Sequence, residues 1–324
     1  MTQKAVWIGR TPSGGDDTEA AQAQSGTPQL DVRKLRFSAE LESRIDHLPP
    51  FPTILSELIG LTNSEKSAAT DLKGCLEKDP VLTARLLKLA NSAFYSPRVP
   101  VTSIQQAVVM LGNMTVKSLA MAAATLKFLG KDAAAYGMGK GGLWMHSYAC
   151  AELARHLALT LGWPDDAQDS VYVGALLHDI GKIVLADLLA TVAAGQVYSR
   201  LVENPEPIGE WESRLTGFTH FGVGEKIAEK WRLAPLTAGC IRHHHVAEPV
   251  PAEFTQEVML VSLADAGARH LGIGVAEPDE DSERENHARE VLGVSETDYG
   301  AMLVSFAEKG ASAEEIFSSM GDMS

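Results

Sequence analysis

Seven residues in the middle of this chain have the types that binding a metal ion requires: His146, His178-Asp179, His220, His244-His245 and Asp265. Imidazole nitrogen and carboxylate oxygen together suit Fe, Mn, Zn or Ni. The sharpest element is Leu176-Leu177-His178-Asp179-Ile180-Gly181-Lys182. If this segment is one helix, Lys182 lies a turn beyond both His178 and Asp179, so three ionisable groups share one broad face. The apolar neighbours Leu176, Leu177, Ile180, Ile183 and Val184 make that helix a buried one. Burying His, Asp and Lys together is costly unless something compensates, and a bound cation would.

Taken singly, each member has an ordinary explanation. A core histidine is usually hydrogen-bonded to backbone. A His triplet at a helix C-terminus (His243-His244-His245) answers the helix dipole. Asp265 has Arg269 one turn later. Seven such residues in order between His146 and Asp265 point instead to a metal-binding constellation. Within its helix, His146 shares the face of Cys150, Leu153 and Leu157 and is aimed at the core, whereas His156 is expected to face solvent.

The elements that must position these residues are helices. Apolar residues recur at helical spacing in Ile54-Leu55-Leu58-Ile59 and in Leu82, Leu86 and Leu89. Pro49, Pro50 and Pro52 precede the first stripe, and Asp79-Pro80 opens the second as cap then proline. Few segments alternate with the period of a strand, so the fold class is all-α. Residues 1–30 are expected to be a flexible segment, rich in Gly, Ser, Thr and Pro. A first helical half follows over 31–136. A glycine-rich break, GMGKGG at 137–142, opens a second half over 137–272 that carries the candidate site. Residues 273–324 form an acidic linker and C-terminal helices: EPDEDSEREN (277–286) reads as a solvated loop, with amphipathic helices around 287–293 and 299–308.

The site order is similar to a known pattern. His146, His178-Asp179 and Asp265 resemble the ligand set of the HD superfamily of metal phosphohydrolases. His220, His244-His245 and Lys182 resemble the extended set of its HD-GYP branch, which hydrolyses cyclic di-GMP. The first half resembles another branch. His47-Leu48-Pro49-Pro50-Phe51-Pro52, Glu77-Lys78-Asp79-Pro80-Val81-Leu82, Leu89-Ala90-Asn91-Ser92-Ala93-Phe94-Tyr95 and Ser103-Ile104-Gln105-Gln106-Ala107-Val108 are similar to the recurring phrases of HDOD domains. That resemblance runs from about residue 35 to 272. It implies an HD-type helical bundle preceded by a second helical subdomain, and a regulator of bacterial signalling.

The Gly-Tyr-Pro signature is missing, since Val246-Ala247-Glu248-Pro249 follows His245, and Gly142 stands where a carboxylate for a third metal is sometimes found. One or two divalent ions (Fe, Mn, Zn or Ni) are therefore expected. The resemblance places Asp179 between two ions, with His146, His178 and Asp265 on one and His220, His244 and His245 on the other. It makes Asp179 and Lys182 the catalytic pair if the chain is an active phosphohydrolase, Lys182 neutralising a phosphate oxygen. The alternative is a regulator whose partners are signalling proteins, such as a kinase, a response regulator or a diguanylate cyclase, or a nucleotide ligand.

Composition narrows the field further. The formal net charge is −14, from 28 basic and 42 acidic residues, which argues against non-specific nucleic-acid binding. Cys75, Cys150 and Cys240 are odd in number and far apart, and read as buried thiols of a reducing compartment. No apolar run approaches a membrane span and the N-terminus lacks a signal-peptide core, so a cytoplasmic protein without membrane contact is expected.

Overall fold

The computed structural model describes residues 32–62, 69–92, 95–192, 203, 206–245, 249–273, 282–309 and 313–321. The expected flexible segment 1–30 lies outside them, as do Phe94 and Val246-Ala247-Glu248. The described residues are all-α, as the spacing predicts, with one isolated bridge between Ala133 and Met138 and no strand among them.

In the first half α1 (Val32–Asp46) leads, and α2 (Thr53–Thr62), α3 (Ala69–Leu76), α4 (Pro80–Ala90) and α5 (Ile104–Leu111) gather around α6 (Asn113–Leu129). The two predicted stripes do the packing: Leu55 and Leu58 of α2 and Leu82, Leu86 and Leu89 of α4 are buried. Asp79 caps α4 by accepting from the Val81 and Leu82 N–H groups at 3.0 and 2.9 Å, with Pro80 in the first turn. Asn91 ends that helix and clamps the chain beyond it, donating to the Val101 carbonyl at 2.7 Å and accepting its N–H at 2.8 Å.

The second half is built on α7 (Gly142–Thr160), which lies against α8 (Asp165–Leu177). After these come α9 (Lys182–Val192), α10 (Ile208–Thr216), α11 (His220–Trp231), α12 (Pro235–His243) and α13 (Thr255–His270). Helix α13 closes on both α7 and α8, and α9 meets α1, α10 and α11. The halves are stitched where α11 ends. Lys230 Nζ donates to the Ile45 and Asp46 carbonyls at 2.7 Å, and Trp231 Nε1 to the Pro49 carbonyl at 3.1 Å.

Two local expectations change. Residues 282–286 are not loop but the first turns of α14 (Ser282–Leu292), because Arg284 and Ala288 are buried against the rest of the protein. His156 is half-buried rather than solvent-facing, its ring 5.8 Å from that of Phe306 in α15 (Glu296–Lys309), a helix laid along α7. A last helix, α16 (Ala313–Gly321), packs on α4 and α7. Its Phe317 lies against Gly141, where φ is +84° and a Cβ would overlap the ring, so glycine is required at this point of the 137–142 break.

Candidate metal centre

The expectation that His178, Asp179 and Lys182 ride one helix is corrected by the structure. Helix α8 stops at Leu177 and α9 starts at Lys182, with a corner of tight turns between. Backbone bonds from Ile180 N–H to the Leu177 carbonyl (3.0 Å) and from Lys182 N–H to the Asp179 carbonyl (2.9 Å) hold it. The cause is Gly181. The start of α11 passes so close that a Cβ there would overlap the His220 carbonyl oxygen. Three-residue turns keep Lys182 next to Asp179 all the same, with Nζ 3.0 Å from Oδ2.

All seven sequence-predicted ligand residues meet at this corner. Asp179, fully buried, lies between two groups and turns one oxygen to each. Oδ2 faces His178 Nε2 at 3.4 Å and His146 Nε2 at 3.6 Å. Oδ1 faces His220 Nε2 at 3.4 Å and His244 Nε2 at 3.6 Å. Asp265, from α13, joins the first group with Oδ1 3.0 Å from His146 Nε2 and 3.7 Å from His178 Nε2. His245 belongs with the second, its Nε2 also 3.7 Å from Asp265 Oδ2. The donor atoms of each group lie within 4.8 Å of one another.

Three histidines have their tautomer set from behind. His178 Nδ1 lies 2.6 Å from the Ala175 carbonyl, and His244 Nδ1 lies 3.0 Å from the Cys240 and Ile241 carbonyls. His220 Nδ1 lies 2.8 and 2.9 Å from the two Glu212 oxygens. Each partner only accepts, so each Nδ1 carries the proton and each Nε2 aims a lone pair inward. There the lone pairs meet carboxylate oxygens and one another, His220 Nε2 lying 3.2 Å from His244 Nε2. His178 Nε2 and both Asp179 oxygens lack a directed hydrogen bond. Acceptors facing acceptors in a dry interior repel unless a proton or cation lies between them.

Net charge alone does not demand that cation, because Lys182 faces Asp179 and Arg269 Nη2 lies 3.2 Å from Asp265 Oδ2. The direction of the lone pairs fits either a proton or a cation between them. Burial alone would raise the Asp179 carboxyl, but Lys182 and His178 outweigh it and hold it well below the usual carboxylate range. Burial, opposed by Arg269 and His146, leaves Asp265 low as well. Both carboxylates are therefore ionised. Burial pushes His244 down to about 4, and burial with His244 beside it holds His245 well below its ordinary range. Both rings are neutral donors at neutral pH. For His178, burial is overcome by Asp179, which raises its pKa.

Three contributors escape a reading of the sequence. Cys150, one turn after His146, falls in the first group, but burial and the two nearby aspartates push its thiol well above the usual range, so it stands there protonated. The shared face of His146 and Cys150 was its only signal. Glu212, fully buried on α10, orients His220 and accepts its backbone N–H at 2.7 Å and the Tyr136 hydroxyl at 2.7 Å. Such carboxylate–histidine pairs sit behind many metal ligands. Arg284 of α14 donates from Nε to the His244 carbonyl at 2.9 Å and from Nη2 to the His243 carbonyl, so the C-terminal helices brace the end of α12. No local pattern marks either residue.

An all-helical bundle with a His/Asp cluster at a helix corner defines the class, and the comparisons name the family. The HDOD domain model matches residues 48–247, and the chain belongs to the HDOD family. The crystal structure of an HDOD domain protein of unknown function from Geobacter sulfurreducens is similar, at 29% identity and a TM-score of 0.69, over 88% of this chain and 98% of that one. A Shewanella amazonensis protein, provisionally described as a phosphohydrolase, matches at 26% identity and a TM-score of 0.60, over 87% and 98%. A curated Treponema pallidum protein of uncharacterised function is 23% identical over 243 residues, 75% of this chain. This chain spans about half of that relative, 46% of its length. None of the described helices is long and apolar enough to cross a membrane.

Proposed function

We propose that the chain is a signal-transduction regulator whose HDOD core is organised around one or two divalent ions. His146, His178 and Asp265 hold one side, His220, His244 and His245 the other, and Asp179 stands between. The observation that carries this reading is Asp179 itself, with each oxygen facing a separate set of histidine Nε2 atoms and neither given a directed hydrogen bond. The donor set suits Fe, Mn, Zn or Ni. Bound there, an ion ties the ends of α8 and α12 to the start of α11 and to α7 and α13, so metal binding and folding are linked. A regulator is favoured over an enzyme by burial. His146, His178, Asp179, Lys182, His220 and Asp265 are at most 2% exposed and His245 alone of the seven ligand residues is half-buried, so the described residues leave a phosphate ester little room to approach.

One observation favours the second reading, a phosphohydrolase: Lys182 is buried beside Asp179, where an ammonium would neutralise a phosphate oxygen. A metal at such a site supplies Lewis acidity toward a phosphate ester. This chain's own part would be Asp179 and Lys182 fixing charge and position, with Glu212 keeping the proton on His220 Nδ1.

Elemental analysis of the tag-free protein beside Asp179→Ala and His220→Ala decides the metal. One or two equivalents, lost in the variants, are expected, and an empty site that refuses added metal overturns the proposal. Turnover of bis-p-nitrophenyl phosphate by the loaded protein, lost in Asp179→Ala with the fold intact, would replace the regulator with the enzyme.

A further inference from the structure

A second site lies on the other side of α9. A cleft of about 1110 Å³ opens between the two halves, bounded by α4, the end of α6, the 137–142 loop, α9, the end of α11 and α16. Its apolar surface includes Leu82, Phe128, Val184 and Met320, all buried. Trp231 stands in its wall within an aromatic cluster, 5.2 Å from the Phe51 ring and 5.7 Å from the Phe128 ring.

The charges around this apolar surface are lopsided. Arg85, Lys127, Lys131 and Lys140 line the cleft, and among the described residues none of the four has a carboxylate within ion-pair distance. Arg85 Nε is buried without a hydrogen-bond partner. The two carboxylates in the lining are otherwise engaged: Asp79 caps α4, and Asp187 meets Arg44 Nη1 at 3.2 Å. Four uncompensated cations around one cavity are notable in a chain of net charge −14. Solvent satisfies the exposed lysines, but it does not reach Arg85 Nε. An anion in the cleft would neutralise the exposed lysines and lie within the field of the Arg85 guanidinium.

We propose that this cleft, separate from the His/Asp centre, binds a nucleotide-like ligand: a planar ring for the wall that carries Trp231 and Phe128, and phosphate charge for Arg85, Lys127, Lys131 and Lys140. The cleft is slightly larger than the roughly 300–1,000 Å³ of most small-ligand pockets, so a nucleoside diphosphate is accommodated. Position gives the site a consequence. Helix α9 begins with Lys182 in the His/Asp centre and continues with Ile183, Val184 and Asp187 in the cleft wall. A ligand here therefore touches the helix that carries Lys182, and touches Phe317 and Met320 of α16.

None of the His/Asp residues lines the cleft, so it is tested on full-length protein as purified, at low ionic strength, with the fold checked by circular dichroism. ADP and GDP are titrated by calorimetry, with tryptophan fluorescence as a second readout and with adenosine, guanosine and pyrophosphate as controls. At least one diphosphate nucleotide should bind more tightly than its nucleoside or pyrophosphate alone. Its affinity should fall roughly tenfold or more in Arg85→Ala. The exposed double variant Lys127→Ala/Lys131→Ala, which leaves the core untouched, should weaken it comparably. Neither nucleotide binding, neither exceeding its parts, or affinity unchanged in the lysine variant would each overturn the proposal. So would binding abolished by His220→Ala but kept in Arg85→Ala, which would place the nucleotide at the His/Asp centre.

Discussion

The two faces of α9 solve opposite problems. On one, ten or so polar groups are sealed from water, and almost every one is assigned: Nδ1 protons go to carbonyls or to Glu212, and Lys182 and Arg269 go to the aspartates. What is left over is a set of inward lone pairs. On the other face the floor is apolar and what is left over is positive charge without partners. A sealed site must settle its electrostatics when the chain folds, so the cation proposed for it is expected to express itself as stability. An open cleft shares its electrostatics with solvent and is expected to express its need as ligand affinity. The first should thus be read by unfolding experiments and the second by titration.

The largest effect should come from the residue shared by both histidine groups. Asp179→Ala removes the carboxylate that faces the buried Lys182 ammonium, which costs about 3–5 kcal/mol before any metal is counted. Loss of the ion then adds RT ln(1 + [L]/Kd), about 4 kcal/mol at a thousandfold excess over Kd. Urea unfolding of wild type and variant, each with and without EDTA, separates the two. If EDTA leaves the wild-type midpoint unmoved, the sealed face has no residual need and the contrast with the cleft collapses.

How this centre could be read from the sequence follows from the same division. Inward-facing His and Asp residues are conspicuous because apolar neighbours surround them, as around His178 and Asp265, and helical periodicity carried the fold for the same reason. The corner at Gly181 is set by the approach of α11, a long-range fact that no local window contains. Glu212 and Arg284 act from segments whose own composition is polar and ordinary; WESRL and SEREN read as surface until the neighbours that bury them are in place. Residues placed to hold an ion were legible, and residues that only orient those residues were not.

Acid should separate the faces next. His244 has its pKa depressed to about 4 in the folded protein by burial and by the histidines beside it, against an ordinary 6.5 when unfolded. The unfolded chain therefore takes up a proton first. Stability is full above about pH 6.5 and falls as pH drops toward 4, by on the order of 3 kcal/mol from this group. His245 acts in the same direction, while His178, with its pKa raised, opposes them. Metal-free protein should thus lose its urea midpoint over this range. His244→Gln should flatten the profile, and an unchanged slope would mean that the ring is not held neutral.

A smaller effect is expected from Glu212→Gln. The amide can still accept from the His220 ring, yet it no longer carries the charge that makes the opposite nitrogen a better donor. Metal affinity should drop roughly 10–100-fold, measured by competition with a chromophoric chelator, while metal-free stability changes little. Equal losses in both would make Glu212 a packing residue.

The smallest predicted change tests whether the C-terminal helices belong to the sealed face at all. Arg284→Met keeps the aliphatic stem against α12 but removes the hydrogen bonds to the His243 and His244 carbonyls. Losing a charge-assisted cap at a helix end should cost about 1–2 kcal/mol. Because one of those carbonyls belongs to His244 and the other to its neighbour His243, part of that cost should reappear as weaker metal binding, whereas nucleotide affinity at the cleft should stay constant. A variant that loses stability with metal affinity intact would confine Arg284 to holding α14 in place. The centre would then be complete within α7 to α13, and the tail merely attached to it.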